Sequence, residues 1–266
     1  MSGPTEHVTS ADATRIAVRR IGDGPPVLVL HGALGTSLSW LAVAQRLADR
    51  FQFLLVDRRG RGGSDHGAPP HTLGKEVDDA RAVLALAGPR AAVIGHSFGG
   101  AVALELARET PAGAIRRLVL YEPGVNVAGL IADDQIERIE RLVDEDRLEE
   151  ALNIGTQQLA SAGLVRSDGP IVGRPRHFLE LARTFPREVR AVDALGSDLT
   201  RYAMLDVPTL LLVGAASPDR QQRNCAALAH ALPHVHVEQL DGLGHVAHNT
   251  APARVAELVG AFLEAA

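Results

Sequence analysis

The 266-residue sequence predicts an α/β fold: a mostly parallel, doubly wound sheet carrying a helical insertion. Three observations lead there. Short apolar runs recur between helical stretches, the runs are unbroken rather than alternating, and between residues 124 and 206 they give way to charged helices. A strand with one wet face alternates, whereas a strand covered on both faces reads as a continuous apolar run. Strands of that kind separated by helices make a parallel sheet. The expected division is a core of residues 1–123 and 207–266 with a helical lid, 124–206, over the carboxyl end of the sheet.

Taken in order, residues Val8 to Arg20 read as a hairpin of early strands, followed by strands at Val27 to Leu30, Phe53 to Val56, Ala91 to Ile94 and Leu118 to Tyr121. Ala101 to Ala107 is apolar nearly all round, so its helix should pack deeply against the sheet. In the insertion, Ile136, Ile139, Leu142 and Val143 form one apolar stripe and Leu148, Leu152 and Leu159 another. Residues Gly163 to Pro175 are the most linker-like part of it. Strands at Leu210 to Val213 and Val235 to Leu240 follow. The last helix carries Val255, Leu258, Val259 and Phe262 at i, i+3, i+4 and i+7, with Thr250 as its expected N-cap and Pro252 in its first turn.

Composition removes several function classes. The net charge of −5 comes from 27 basic and 32 acidic residues spread along the chain, leaving no basic face for nucleic acid. The first thirty residues carry charges where a secretory signal needs an apolar core, and no apolar run reaches membrane-spanning length, so a cytoplasmic protein with no membrane partner is expected. Cys225 is the single cysteine and reads as a buried helix residue. A small molecule is the expected partner, in a pocket poor in aromatic residues.

Gly95-His96-Ser97-Phe98-Gly99 follows an apolar strand and opens a helix, the strand-turn-helix setting in which a G-x-S-x-G turn projects its serine from the sheet edge. Ser97 is therefore the candidate nucleophile. The amide of Phe98 lies at a helix N-terminus, where anionic charge is favoured. His245, in the glycine-rich loop after the last strand, is the candidate general base. His234, His236, His245 and His248 fall close together, but no cysteine or carboxylate pair shares a ligand-like spacing with them, so neither a metal nor any other cofactor is expected. His31 and His96 read as loop supports and His248 as a helix-start residue near the pocket. Gly60, Gly62 and Gly63 lack the spacing and the following helix of a phosphate cradle.

These motifs together resemble the α/β-hydrolase superfamily over nearly the whole chain outside the insertion. His31-Gly32-Ala33-Leu34 is similar to its oxyanion loop, Asp57-Arg58-Arg59-Gly60-Arg61-Gly62-Gly63-Ser64 to its DxRGxGxS turn, and Gly244-His245 to its histidine loop. The resemblance implies that the amides of Ala33 and Phe98 hold the developing oxyanion, with Leu34 as the alternative to Ala33. Its acid departs from the commonest pattern: Gly214-Ala215-Ala216-Ser217 places serine where the family usually has aspartate. Glu122, one strand earlier and beside the nucleophile's strand, is favoured over Asp219, and Asp57 is assigned to a structural turn. Serine at the elbow argues against epoxide opening and dehalogenation, which need a carboxylate nucleophile. The implied activity is hydrolysis of an ester, lactone or thioester. Carbon-carbon bond hydrolysis, lyase or perhydrolase chemistry, and a non-catalytic receptor are the alternatives.

Overall fold

The computed structural model describes residues 5–125, 133–161 and 173–265. Eight strands form one sheet in the order β1-β2-β4-β3-β5-β6-β7-β8. They are β1 (Thr5–Thr9), β2 (Arg15–Ile21), β3 (Pro26–Leu30), β4 (Gln52–Val56), β5 (Ala91–His96), β6 (Ile115–Tyr121), β7 (Thr209–Gly214) and β8 (Val235–Leu240). β1 and β2 form the expected antiparallel hairpin, β2 also runs antiparallel to β4, and every other neighbouring pair is parallel. The helices are α1 (Leu41–Leu47), α2 (Leu73–Ala87), α3 (Phe98–Glu109), α4 (Asp133–Asp144), α5 (Leu148–Ser161), α6 (Arg176–Leu179), α7 (Phe185–Asp193), α8 (Asp219–Ala231), α9 (Ala247–Thr250) and α10 (Pro252–Glu264).

The unbroken apolar runs become strands buried on both faces. In β3, Leu28 and Leu30 join the core layer that holds α2 and α3, while Val27 and Val29 join the opposite layer with α1 and α10. The strands β5 and β6 divide their residues in the same alternating way. Each such Val, Leu or Ile contributes about 1.5–3 kcal/mol through burial. Cys225 is buried in α8, and burial pushes its thiol well above the ordinary range.

Strand order positions the site. The chain runs from β3 outward to β4 and then crosses back to β5 on the other side of β3. Loops leaving the carboxyl ends of the neighbouring strands β3 and β5 therefore head to opposite sides, opening a crevice between them. The loop His31 to Thr36 follows β3 and Ser97 follows β5, so both line that crevice.

Between β6 and β7 the described secondary-structure elements are all helices. Ile136, Ile139 and Leu142 of α4, Leu148 and Leu152 of α5, and Phe185 and Val189 of α7 close a separate apolar cluster, against which Ala33 and Leu34 pack. The side chain of Leu159 and the linker-like residues 163–172 lie outside the described residues. One cap differs from expectation: α10 starts after Ala251 without a side-chain cap, because Thr250 closes α9 and turns its hydroxyl to the Val246 carbonyl. Among the described residues no helix is long and apolar enough to cross a membrane.

Candidate active site

Ser97 stands between β5 and α3 with φ 51° and ψ −121°. A non-glycine residue in such backbone geometry costs about 1–3 kcal/mol and persists only where its surroundings over-determine it. Here they do. The Ser97 amide donates to the Tyr121 carbonyl (3.0 Å), and its own carbonyl accepts from the amides of Gly124 (2.6 Å) and Gly100 (2.8 Å). The first turn of α3 lies so close to β3 that a Cβ on Gly99 would come within 2.2 Å of the Leu30 oxygen. Six described non-glycine residues have positive φ, and Leu34, Ser97 and Glu122 are three of them. Half of these strained positions thus lie in the segments that follow β3, β5 and β6.

Glu122 directly follows β6, the strand beside β5, and is completely buried. Its Oε2 lies 2.6 Å from His245 Nδ1, and its Oε1 accepts the Gly214 amide at 2.7 Å. Gln221 of α8 donates to the Glu122 carbonyl (3.1 Å), tying the strand end in place. A carboxylate at Nδ1 selects the tautomer that leaves Nε2 as the basic nitrogen and stabilises the imidazolium. Tyr121 brackets the histidine loop: its hydroxyl donates to the Gly244 carbonyl and accepts the Ala247 amide (3.0 Å). His96, the residue before Ser97, donates from Nε2 to the His245 carbonyl (2.9 Å), with the two ring centroids 4.7 Å apart. The elbow and the histidine loop are therefore joined directly.

Beneath this site His248 stacks on Trp40, and His96 packs 4.3 Å from His248 between ring centroids. Burial, aided by the neighbouring imidazoles, holds His96 well below its ordinary value, and burial with His245 nearby lowers His248 to about 3. Burial and then Arg58 and Arg61 hold His31 well below as well. All three are neutral supports, consistent with the roles expected from their positions in loops and at a helix start.

The loop after β3 rests on residues that sequence reasoning passed over. Arg58, 1% exposed, donates from Nε to the His31 carbonyl (2.9 Å) and from Nη2 to the Gly32 carbonyl (3.2 Å). The remaining hydrogen bonds of its guanidinium go to Glu76 of α2 (3.0 Å) and Glu188 of α7 (2.9 Å), and the group lies 4.5 Å over the Phe98 ring. Arg61 donates to the same Glu188 oxygen at 2.6 Å. Burial opposes the charge on Glu188, but Arg58 and Arg61 outweigh it and hold the carboxyl below its ordinary value. Two arginines in the DxRGxGxS turn were visible in the sequence; their acidic partner, 130 positions away, had no local signal.

The other candidates separate clearly. Asp219 is exposed at the first residue of α8, and Ser217 is buried beside Gly214 with a hydroxyl that has no hydrogen-bond partner among the described residues. Asp57 accepts the amides of Ser37 (2.7 Å) and Gly63 (3.0 Å), as a structural turn requires. The Gly60 amide is spent on the Asp65 carbonyl. His234 and His236 sit exposed beside Asp206 and Glu238, away from the inward-facing His245 and His248. Among the described residues no group of three or more His, Cys, Asp or Glu could hold a metal ion.

Comparison with known proteins agrees with this architecture. A solved α/β hydrolase from Sphaerobacter thermophilus is 29% identical, with a TM-score of 0.82, over 97% of this chain and all of its own. The sn-1-specific diacylglycerol lipase of Mus musculus is 24% identical over 90% of this chain and 81% of its own length. A meta-cleavage product hydrolase shares the fold at a TM-score of 0.72 with 19% identity, over all of this chain and 99% of its own. Similar proteins thus include an ester-cleaving and a carbon-carbon-cleaving enzyme. The model of the alpha/beta hydrolase family matches residues 27–258, and the chain belongs to that family.

Proposed function

We propose that this protein is a serine hydrolase that cleaves a carboxylic ester, lactone or thioester through an acyl-serine intermediate. The observation that carries the reading is the buried Glu122 carboxylate 2.6 Å from His245 Nδ1, in a loop hydrogen-bonded to the residue before Ser97. In this reading His245 Nε2 takes the proton of Ser97 as Oγ attacks the substrate carbonyl carbon. The resulting oxyanion accepts hydrogen bonds from the amides of Phe98 and Ala33, each worth about 3–4 kcal/mol in acyl transfer. Collapse of the tetrahedral intermediate expels the alkoxide or thiolate, which receives the proton from His245. Water, deprotonated by the same histidine, then attacks the acyl-serine and releases the acid. The helices between β6 and β7 act as a lid, residues 124–206, that shapes the acyl pocket; their apolar cluster reaches Ala33 and Leu34 at its rim. The substrate is a small or medium organic molecule.

A fluorophosphonate probe tests the nucleophile, and a panel of esters, lactones and thioesters tests the reaction. The wild type should be labelled and should turn over members of the panel, and Ser97→Ala should do neither. Labelling of Ser97→Ala would move the nucleophile elsewhere, and labelling of the wild type without turnover of any ester would favour carbon-carbon chemistry or a receptor.

A further inference from the structure

We propose that Arg58, clamped by Glu188 of α7, is a positioning residue that aims the Ala33 amide as an oxyanion donor. One peptide plane links the two. In a trans peptide the C=O of residue i and the N–H of residue i+1 point in opposite directions, so whatever holds the Gly32 oxygen also sets the direction of the Ala33 N–H. The Gly32 oxygen is held twice: His31 Nδ1 donates to it at 2.8 Å and Arg58 Nη2 at 3.2 Å. The imidazole in turn accepts the Arg58 amide at Nε2 (3.3 Å), which fixes the neutral tautomer with its proton on Nδ1. Arg58 Nε adds the His31 carbonyl at 2.9 Å, so both carbonyls preceding the Ala33 amide are gripped by one planar guanidinium.

Glu188 sets where that guanidinium lies. Its Oε1 is shared by Arg58 Nη2 (2.9 Å) and Arg61 Nη2 (2.6 Å), all within groups at most 1% exposed, and Arg61 Nη1 holds the Gly35 carbonyl (3.1 Å) farther along the same loop. An arginine tied at both ends has one available orientation, and here that orientation faces the Gly32–Ala33 peptide on one side and the Phe98 ring on the other. Both proposed donors therefore adjoin Arg58. Glu188 belongs to the helices inserted between β6 and β7, so the insertion contributes to transition-state binding as well as to the pocket. The preorganised amide counts only when charge develops on the substrate oxygen, which assigns the effect to kcat rather than to KM.

The proposal rests on Ser97 being the acylated residue, and its test keeps the two apart. Arg58→Lys and Glu188→Gln in the full chain would be compared with wild type on an activated ester, on a trifluoromethyl ketone of the same acyl skeleton, which forms an oxyanion with serine, and on the matching alcohol, which forms none. In each folded variant kcat should fall about tenfold or more with KM nearly unchanged, and ketone affinity should fall by the same factor while alcohol affinity stays constant. Loss of ester turnover without loss of ketone affinity, or full activity in a folded variant, would overturn the assignment. A measurement on the wild type decides the matter even if neither variant folds: ketone binding should shift the Ala33 amide proton downfield, and an unmoved Ala33 beside a shifted Leu34 overturns the proposal. A wild type that the ketone does not inhibit, together with an active Ser97→Ala, would instead remove the serine mechanism.

Discussion

Glu122 meets His245 Nδ1 at 2.6 Å with one carboxylate oxygen while its other oxygen accepts the Gly214 amide at 2.7 Å, so the carboxylate is fixed from both sides. Asp219 is exposed at the start of α8. Glu122→Gln should therefore lower kcat by on the order of 10⁴ with little change in KM, the size of loss seen when a triad carboxylate is neutralised in serine proteases. Asp219→Asn should be nearly silent. Steady-state kinetics of the two variants decide it: a dead Asp219→Asn with a healthy Glu122→Gln would put the acid on the wrong strand.

Gly32 marks where two loops touch. A Cβ there would lie 2.9 Å from both the Ser97 Cβ and His96 Nδ1, atoms on a buried, packed elbow with no flexible end to yield. Gly32→Ala should thus push the loop after β3 away from Ser97 and lower kcat/KM by about 10² or more, comparable to removing one oxyanion donor. The fold should survive, since the displaced element is a loop. Wild-type activity in a folded Gly32→Ala would show that the loop moves freely without consequence for the reaction.

How far the sequence reached depends on how local each signal is. Strands were legible because a buried parallel strand writes its environment into four or five consecutive residues, as Ala91 to Ile94 and Leu210 to Val213 do. The turn at Ser97 was legible because glycines stand on either side of it, and the buried contact of Glu122 with His245 could be expected once Ser217 left the usual aspartate position without a charge. Arg58 and Glu188 were not, since their pairing depends on how α7 seats on the loop after β3, a contact between segments 130 positions apart. The Tyr121 hydroxyl was missed for the opposite reason: it sits in a run that reads fully as strand, and nothing local says that its tip reaches the histidine loop. The expected cap at Thr250 failed because a short helix, α9, occupies the residues where the cap was placed.

Acid should destabilise this fold through its neutral histidines. His248 falls from 6.5 to about 3 through burial and the nearby His245, and His31 and His96 lie well below their ordinary values, burial again being the largest cause. In the unfolded chain each takes up a proton as pH falls through about 6.5, whereas the folded protein binds none until its lower value is reached. The unfolded state therefore binds more protons throughout that window, and each histidine removes up to about 1.4 kcal/mol of stability per pH unit as pH drops. Urea unfolding between pH 7.5 and 4.5 should show this decline, and His248→Phe should make it shallower by about one proton. An equally steep decline in His248→Phe would mean that this imidazole is protonated in the folded protein.

Ser217 offers a way to move the acid. Its buried hydroxyl has no hydrogen-bond partner among the described residues, and it lies beside the ends of both elements that matter: a Cβ on Gly214 would come 2.8 Å from its Oγ and one on Gly244, the residue before His245, 3.7 Å. A carboxylate at this position would stand at the mouth of the histidine loop from the β7 side, whereas Glu122 approaches from β6. In the wild-type background Ser217→Asp would bury a second negative charge near the first, which raises one of the two pKa values and costs stability. With Glu122→Gln the charge count is restored. The double variant should then recover about tenfold or more of the activity lost in Glu122→Gln alone, since Gln at 122 can still accept the Gly214 amide while the new carboxylate orients the imidazole. Thermal unfolding should follow the same order, with Ser217→Asp alone the least stable of the three. A double variant that folds as well as Glu122→Gln and recovers nothing would show that His245 Nδ1 can be reached only from the end of β6.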